Sequence, residues 1–452
     1  MQRLLFRSLF YISSLLLFYC FYKVEIAQTI KRQDYLFYYI LFSLIIFFYF
    51  LFISIKKYSE YFFIIIISIL GSFFLNEIYY VYSNKNKYFE NSYHETEKKK
   101  YESKMNFYNK NKEQDDSSII AYNPLIYYQN NQKLLPISHA TNSNMILCNE
   151  GGYYSKWSSD RYGFNNDDAV WNSKKKKIIL LGDSFVEGNC VNRPDNINSG
   201  LQKLNKKYNF VNYGISGSSL VHQFALLKEF WPKNVSKIFL FYYEGNDLVE
   251  IKDEMKNPIF SKYFKDNNFS QELMENIKKS DEVYRQVFKL HMENLENNFE
   301  FQRNYEISNN YSKVFISILK LTNSRNMINF LLSKKKISDF NDYEINLYEE
   351  TLIKVKKFVE EKNSQLIFVY LPEFSRYNTF KYYKDKFYNY NQYNYKKIFD
   401  MINKNNIKII DIHQLLFLKK KDPLECFPRK KPGHYNEKCY FDISTILNNS
   451  LN

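Results

Sequence analysis

The stretch KKIILLGDSFVEGNC (Lys176–Cys190) decides the fold. Four apolar residues, two isoleucines and two leucines, run up to Gly182, and a polar Asp-Ser pair follows at once. A short apolar run closed by a turn signal reads as a buried strand feeding a tight turn. Working outward, four further runs share this character: FVNYG (Phe210–Gly214), KIFLFYY (Lys237–Tyr243), QLIFVYLP (Gln365–Pro372) and IKIIDI (Ile407–Ile412). Helix-length segments separate them. Short β-rich runs alternating with helices predict an α/β fold, a three-layer α/β/α domain around a five-stranded parallel sheet. More than a hundred residues lie between the third and fourth runs, too many for one crossover, so a helical insertion is expected over about 249–348. No internal repeat is evident.

In an open α/β sheet, ligands bind beyond the carboxyl ends of the strands, and the unusual residues of this chain lie there. The first run ends in Gly182-Asp183-Ser184-Phe185 and the second in NYGISG, reaching Gly217. The third ends in EGND (Glu244–Asp247), and GHYN, with His434, follows the last. Taken singly, each has a plain explanation: Ser184 as a helix cap, Gly217 as a turn, Asn246 as a cap or Asx-turn. Together, at successive strand ends, they make a constellation. A serine hydroxyl needs a neighbouring base to become a nucleophile, and imidazole titrates near neutrality. Ser184 is the candidate nucleophile and His434 the candidate base; His413, in DIH at the end of the last run, competes for that role.

These four blocks, in this order, resemble the SGNH/GDSL hydrolase superfamily, over roughly residues 175–450. CNE at Cys148, YGFNN (Tyr162–Asn166) and YYEGNDL (Tyr242–Leu248) also look like membrane-anchored bacterial members of that group. Val186 stands where the α/β-hydrolase elbow would place its second glycine, so that family is not indicated. The resemblance implies a flavodoxin-like sheet and an acyl-enzyme formed on Ser184. It also implies an oxyanion hole made by the backbone N–H groups of Ser184 and Gly217 and the side-chain amide of Asn246. The chain departs from the family pattern in one place. The acid that orients the histidine usually stands two or three residues before it, and here those positions hold Pro432 and Lys431. Either Asp422 or Glu425 folds back to replace it, or Ser184 and His434 work as a dyad, or catalysis is impaired.

The N-terminal part reads differently. Tyr35–Ile55 is an uninterrupted uncharged stretch long enough to cross a bilayer. Ser8–Tyr22 and Tyr61–Tyr82 are also strongly apolar, the latter carrying Asn76 and Glu77. The expected organisation is a membrane region with about three transmembrane helices (1–82), a stalk and N-terminal extension (83–172), and an SGNH hydrolase-like domain (173–452). Lysine and arginine counts in the loops do not fix the orientation. Outside the apolar segments four cysteines remain, an even set compatible with two disulfides and an oxidising compartment. The expected pairs are Cys148–Cys190, pinning the pre-sheet segment beside the nucleophile, and Cys426–Cys439, closing a ring around His434.

The 452 residues carry 63 basic and 48 acidic side chains, net +15, with 45% hydrophobic and 19% aromatic residues. Such a composition excludes collagen-like chains and wholesale disorder. The basic residues are scattered, and no nucleic-acid motif gathers them. Cys426, His434 and Cys439 lack the paired spacings of zinc sites, and no cofactor fingerprint is present. The expectation is a multi-pass protein of a bacterial inner membrane with an extracytoplasmic catalytic domain. It would act as an esterase or O-acyltransferase on acyl, foremost acetyl, esters of cell-surface glycans. A membrane protein donating acyl groups would be a partner in the transferase case. The alternative is a non-catalytic scaffold or glycan-binding protein on the same fold.

Overall fold

The structure, a computed structural model, describes residues 2–27, 32–55, 57, 59–83, 92–123, 134–325, 342–377 and 395–451. The chain forms two compact units, one of residues 1–101 and 297–336, the other of residues 102–296 and 337–452.

The first unit contains helices α1 (Gln2–Phe21), α2 (Arg32–Ser54) and α3 (Ser59–Ser83). Three spans, Leu4–Ile26, Tyr35–Ser54 and Glu60–Ser83, are long and apolar enough to cross a membrane. The first of these extends the apolar stretch Ser8–Tyr22 back past Arg7 and on to Ile26. These β-branched and aromatic runs would suit strands in water, but a lipid-embedded backbone must satisfy its own hydrogen bonds, and a single helix does so. Phe6 is buried with its ring edge-on to Tyr49, Phe52 and Phe63, and Phe10 stacks on Tyr49 at 4.4 Å. Leu15, Phe47, Leu75 and Tyr79 instead point outward and are exposed. Helix α4 (Ser92–Gln114) leads toward the second unit through the segment read as a stalk.

The second unit begins with a small sheet. Strand β1 (Ser118–Ile120) runs parallel to β2 (Asn144–Ile146), which pairs antiparallel with β3 (Lys156–Ser158) as a hairpin. The main sheet holds β4 (Lys177–Gly182), β5 (Asn209–Gly214), β6 (Val235–Tyr243), β7 (Gln365–Leu371) and β8 (Lys408–Asp411). They lie in the order β5-β4-β6-β7-β8, and every neighbouring pair is parallel. β4, which ends at Gly182 two residues before Ser184, is therefore flanked by the two strands that end near Gly217 and Asn246.

Side chains alternate across this sheet with period two. Ile179 and Leu181 join Val211, Tyr213, Ile238 and Leu240 in one core, under helices α7 (Leu220–Glu229) and α11 (Asp342–Glu361). Ile178 and Leu180 join Phe210, Phe239, Ile367 and Val369 in the other, under α6 (Ile197–Leu204) and α12 (Glu437–Asn449). Both faces are covered, which is why these strands read as continuous apolar runs rather than alternating ones. The fold is a three-layer α/β/α sandwich with a five-stranded parallel sheet. Helix α5 is the single turn Ser184–Glu187. Between β6 and β7 the described chain is helical, with α8 (Asp247–Glu254), α9 (Pro258–Lys265) and α10 (Ile277–Leu319) before α11. Residue 348, the expected end of the insertion, falls inside α11, whose Leu347, Tyr348, Leu352, Val355 and Val359 already belong to the sheet core.

Candidate active site

Ser184 opens α5, so its backbone N–H is among those a helix leaves unpaired at its start. Asp183 caps this turn, its Oδ1 accepting from Phe185 N at 3.0 Å. The N-terminal extension and β5 add further bonds to this turn. Asn165 donates to Glu187 O at 2.8 Å, and Asn166 accepts from Asn212 N at 2.7 Å and donates to Asn212 O at 3.1 Å. Asn212 in turn donates to Val186 O at 2.7 Å. The YGFNN block thus ties the end of β5 to the helical turn that carries the serine.

His434 Nε2 lies 2.9 Å from Ser184 Oγ. Its other ring nitrogen, Nδ1, is 3.0 Å from Glu150 Oε1, and its backbone N–H donates to Glu150 Oε2 at 2.7 Å. The carboxylate at the histidine is therefore neither of the two expected from sequence proximity. Asp422 accepts from Lys430 Nζ at 2.6 Å and from Leu424 N at 3.0 Å, capping a 3₁₀ turn. Glu425 contributes its backbone carbonyl to Asn436 Nδ2 at 2.7 Å. The Asp422 carboxylate is thus committed to the loop that leads into GHYN, and Glu150 arrives from 284 residues upstream.

Glu150 sits in the loop of the β2–β3 hairpin. That hairpin is closed by Leu147 N to Ser155 O at 2.9 Å and Ser155 N to Cys148 O at 3.0 Å. Cys148 is disulfide-bonded to Cys190, three residues beyond the nucleophile's turn, and Cys426 is bonded to Cys439 across His434. Tyr153, in the same loop, donates to Glu437 Oε1 at 2.5 Å. A side chain at Gly433 would bring its Cβ to 2.3 Å from Glu150 Oε2, so glycine at this position is what lets the carboxylate reach the histidine. Burial pushes the Glu150 carboxyl up, but the hydrogen bonds and charge of His434 outweigh it and hold the group below its ordinary value. The CNE block and the Cys148–Cys190 pairing together carried this signal: an acid two residues from a cysteine stapled beside the nucleophile must lie near the base. Atoms of Cys148, Cys190, Glu150 and His434 lie within 4.8 Å of one another, a spacing compatible with a metal. The two sulfurs are joined to each other, which leaves no thiolate to act as ligand.

His413 is elsewhere engaged. Its Nδ1 is 2.6 Å from the Tyr377 hydroxyl, and burial, aided by the Arg376 charge, pushes its pKa down to about 4. Glu244 of EGND forms a buried pair with Arg376, whose Nε lies 3.0 and 2.9 Å from the two carboxylate oxygens.

The flank of β4 opposite His434 is built from carboxylates. Gly217 has φ +69°, a left-handed turn that glycine adopts without strain. Its loop is held at one side by Glu187, which accepts from Ser216 N at 2.7 Å and from the Ser216 hydroxyl. At the other side Glu254 accepts from Ser219 N at 2.6 Å and from the Ser219 hydroxyl. Asn246 precedes α8 but does not cap it. Its Nδ2 donates to Glu250 Oε1 at 2.8 Å, one turn further on. Burial raises Glu250 to about 7, against the Asn246 bond and with help from Asp183 and Asp253. Burial likewise raises Asp183 to about 6 and Glu254 to about 8. An amide has two N–H groups: with one fixed on Glu250, the other is available to a ligand.

No protein-family model matches this chain, and no curated protein does. Among solved structures it is similar to a putative lipolytic protein of the G-D-S-L family from Desulfitobacterium hafniense DCB-2, at 11% identity over 61% of this chain and 99% of that one, TM-score 0.30. A member of the lipolytic protein G-D-S-L family from Veillonella parvula DSM 2008 aligns at 13% identity over 60% and 95%, TM-score 0.31. A lipase/acylhydrolase from Enterococcus faecalis aligns at 10% identity over 61% and 95%, TM-score 0.30. At such scores the likeness adds nothing to the chemistry, which stands on the geometry of Ser184, His434 and Glu150.

Proposed function

We propose that this protein is a membrane-anchored serine esterase or O-acyltransferase of the SGNH/GDSL type. The observation that carries the reading is the continuous chain Ser184 Oγ, His434, Glu150, with contacts of 2.9 and 3.0 Å. In the proposed reaction, Ser184 Oγ attacks an ester carbonyl while its proton passes to His434 Nε2. Glu150, hydrogen-bonded at Nδ1, fixes the tautomer and offsets the positive charge on the imidazolium. The oxyanion is met by the Ser184 and Gly217 backbone N–H groups and by Asn246. His434 then returns the proton to the leaving alcohol as the ester C–O bond breaks, leaving an acyl-Ser184. Water or a sugar hydroxyl, deprotonated by His434, attacks that acyl group and frees the serine.

The non-catalytic reading drew its support from the missing acid before His434, and Glu150 fills that role. Acyl esters of cell-surface glycans are the proposed substrate class, on the resemblance to anchored members of the superfamily, with an acyl-donating membrane protein as partner in the transferase case. Two disulfides support an extracytoplasmic, oxidising location for this unit, and the resemblance to anchored bacterial members is the ground for proposing a bacterial inner membrane. A fluorophosphonate probe should label Ser184, and turnover of a chromogenic acetyl ester should vanish equally in Ser184→Ala and His434→Ala, because the pair acts as one unit. Full activity in Ser184→Ala would sink the mechanism. Adding oligosaccharide acceptors and analysing products separates hydrolysis from transfer.

A further inference from the structure

Between residues 297 and 336 the chain leaves the catalytic unit and belongs to the membrane unit. Helix α10 stops at Leu319, Leu321 takes φ +46°, and a new helical stretch begins at Thr322. Breaking a helix exposes carbonyls on one side and N–H groups on the other. Here side chains of the apolar spans meet both sets. The Tyr38 hydroxyl, on α2, donates to Lys320 O at 2.7 Å. Glu77, on α3 and 0% exposed, accepts from Asn323 N and Nδ2 at 2.9 Å each, from Ser324 N at 3.0 Å and from Ser324 Oγ at 3.1 Å. Asn76 adds a bond from Nδ2 to Ser324 Oγ at 3.1 Å. Leu321, 4% exposed, enters the apolar cluster formed by Phe6, Phe37, Leu41, Ile45 and Ile66 of the spans.

The outer side of the same element is apolar. Phe315, Ile316 and Leu319 share one helical face and are 62%, 47% and 56% exposed. Helices α1, α2 and α3 present exposed apolar residues of the same kind. Exposed residues of that kind on a spanning helix face acyl chains, and irregular backbone is tolerated at membrane depth only where protein groups satisfy it. Tyr38 and Glu77 lie near the ends of their spans at Tyr35 and Ser83. In a bundle that crosses the bilayer three times, those two ends are on the same face. An intramembrane carboxylate is costly unless engaged, and this one accepts four hydrogen bonds from the segment it holds.

We propose that residues 314–325 form a re-entrant membrane element, a second attachment of the chain to the bilayer in addition to the three spans. Phe315, Ile316 and Leu319 face lipid acyl chains, while Tyr38 and Glu77 clamp the helix break. The proposal rests on the reading of the N-terminal helices as bilayer-spanning, and its test separates the two.

Full-length protein carrying Cys20→Ser, with both disulfides intact, is reconstituted in phosphatidylcholine vesicles. An environment-sensitive fluorophore is attached at Phe315→Cys or Leu319→Cys, with Phe47→Cys as the probe of a span and Lys421→Cys as the probe of a water-exposed loop. Quenching is read with nitroxide-tailed lipids and with aqueous iodide. Phe315 and Leu319 probes are expected to lose fluorescence to the lipid nitroxide as the Phe47 probe does, and to resist iodide. Glu77→Ala should shift them toward iodide, with Glu77→Gln, which keeps an acceptor oxygen, shifting them less. If Phe47 is lipid-quenched while Phe315 and Leu319 behave like Lys421, the re-entrant element is wrong and the spans stand. If Phe47 itself escapes lipid quenching, the spanning reading fails first. Shielding from both quenchers that depends on protein density would point to a second copy of the chain and overturn the lipid assignment.

Discussion

The two flanks of Ser184 differ in how their carboxylates are held. On each side a glutamate holds a polar side chain: Glu150 is bonded to the His434 ring that reaches Ser184 Oγ, and Glu250 accepts from Asn246. Glu150 is kept below its ordinary carboxyl range by an imidazole that can become positive. Glu250 is pushed up to about 7, because burial and neighbouring carboxylates face an amide that can never offer a charge. A carboxylate near the base stabilises developing positive charge. A carboxylate near the oxyanion opposes developing negative charge and serves best when protonated. The difference teaches that position relative to the reacting charge, not residue type, decides what each acid can do.

The comparison can be broken from its strongest side first. Glu150→Ala should lower kcat on the chromogenic ester by roughly 10³–10⁴-fold, the scale of losing the orienting acid in a serine triad. Activity within a few-fold of the parent would mean a working Ser–His dyad. Asn246→Ala should cost about 10²–10³ in kcat with the fold unchanged, as for one lost oxyanion donor; steady-state kinetics beside a circular dichroism melt would decide. Replacing Cys148 and Cys190 together by serine frees the hairpin loop that carries Glu150. Misplacing a catalytic group by an ångström costs on the order of 10² in rate, and closing a loop of separation 42 is worth about 4 kcal/mol in the chain-entropy model. Both losses should appear, in kcat and in the urea midpoint, and an unchanged kcat would show that the loop holds its place unaided.

The smallest effect sharpens the other flank. Glu250 binds its proton more tightly folded than unfolded, so its contribution to stability is complete below 4.5 and is lost as pH rises through about 7. Glu250→Gln keeps an acceptor for Asn246 and cannot ionise. It should flatten that decline in Tm between pH 5 and 8 and remove a fall in kcat centred near pH 7. A profile identical to the parent's would exclude Glu250 from the oxyanion flank.

Much of the catalytic unit was legible because it is written locally. Each of the five apolar runs carries its own strand signal, and a parallel sheet covered on both faces leaves those runs unbroken. Ser184, Gly217, Asn246 and His434 stood out because each follows a strand or sits in a recognisable block, and the structure brings Ser184 and His434 within 2.9 Å of each other. The same local logic misplaced the acid: Asp422 and Glu425 are near His434 in sequence, but the carboxylate at the ring is Glu150, and Asp422 pairs with Lys430 of its own loop. Residue 348, where the insertion was expected to end, lies within the unbroken helix α11, so no change of pattern marks that boundary.

The sequence by itself determined what depends on residue order over a few turns: the strands, the spanning helices, the nucleophile's turn and the even set of cysteines. Only the tertiary structure decided which carboxylate faces His434, that Asn246 is held by Glu250, and that Glu77 closes a helix break in residues 320–324. These are pairings between groups up to 284 residues apart. Their partners are selected by where the sheet, the hairpin and the disulfide bring them, and a carboxylate carries no mark in sequence of the donor it will meet.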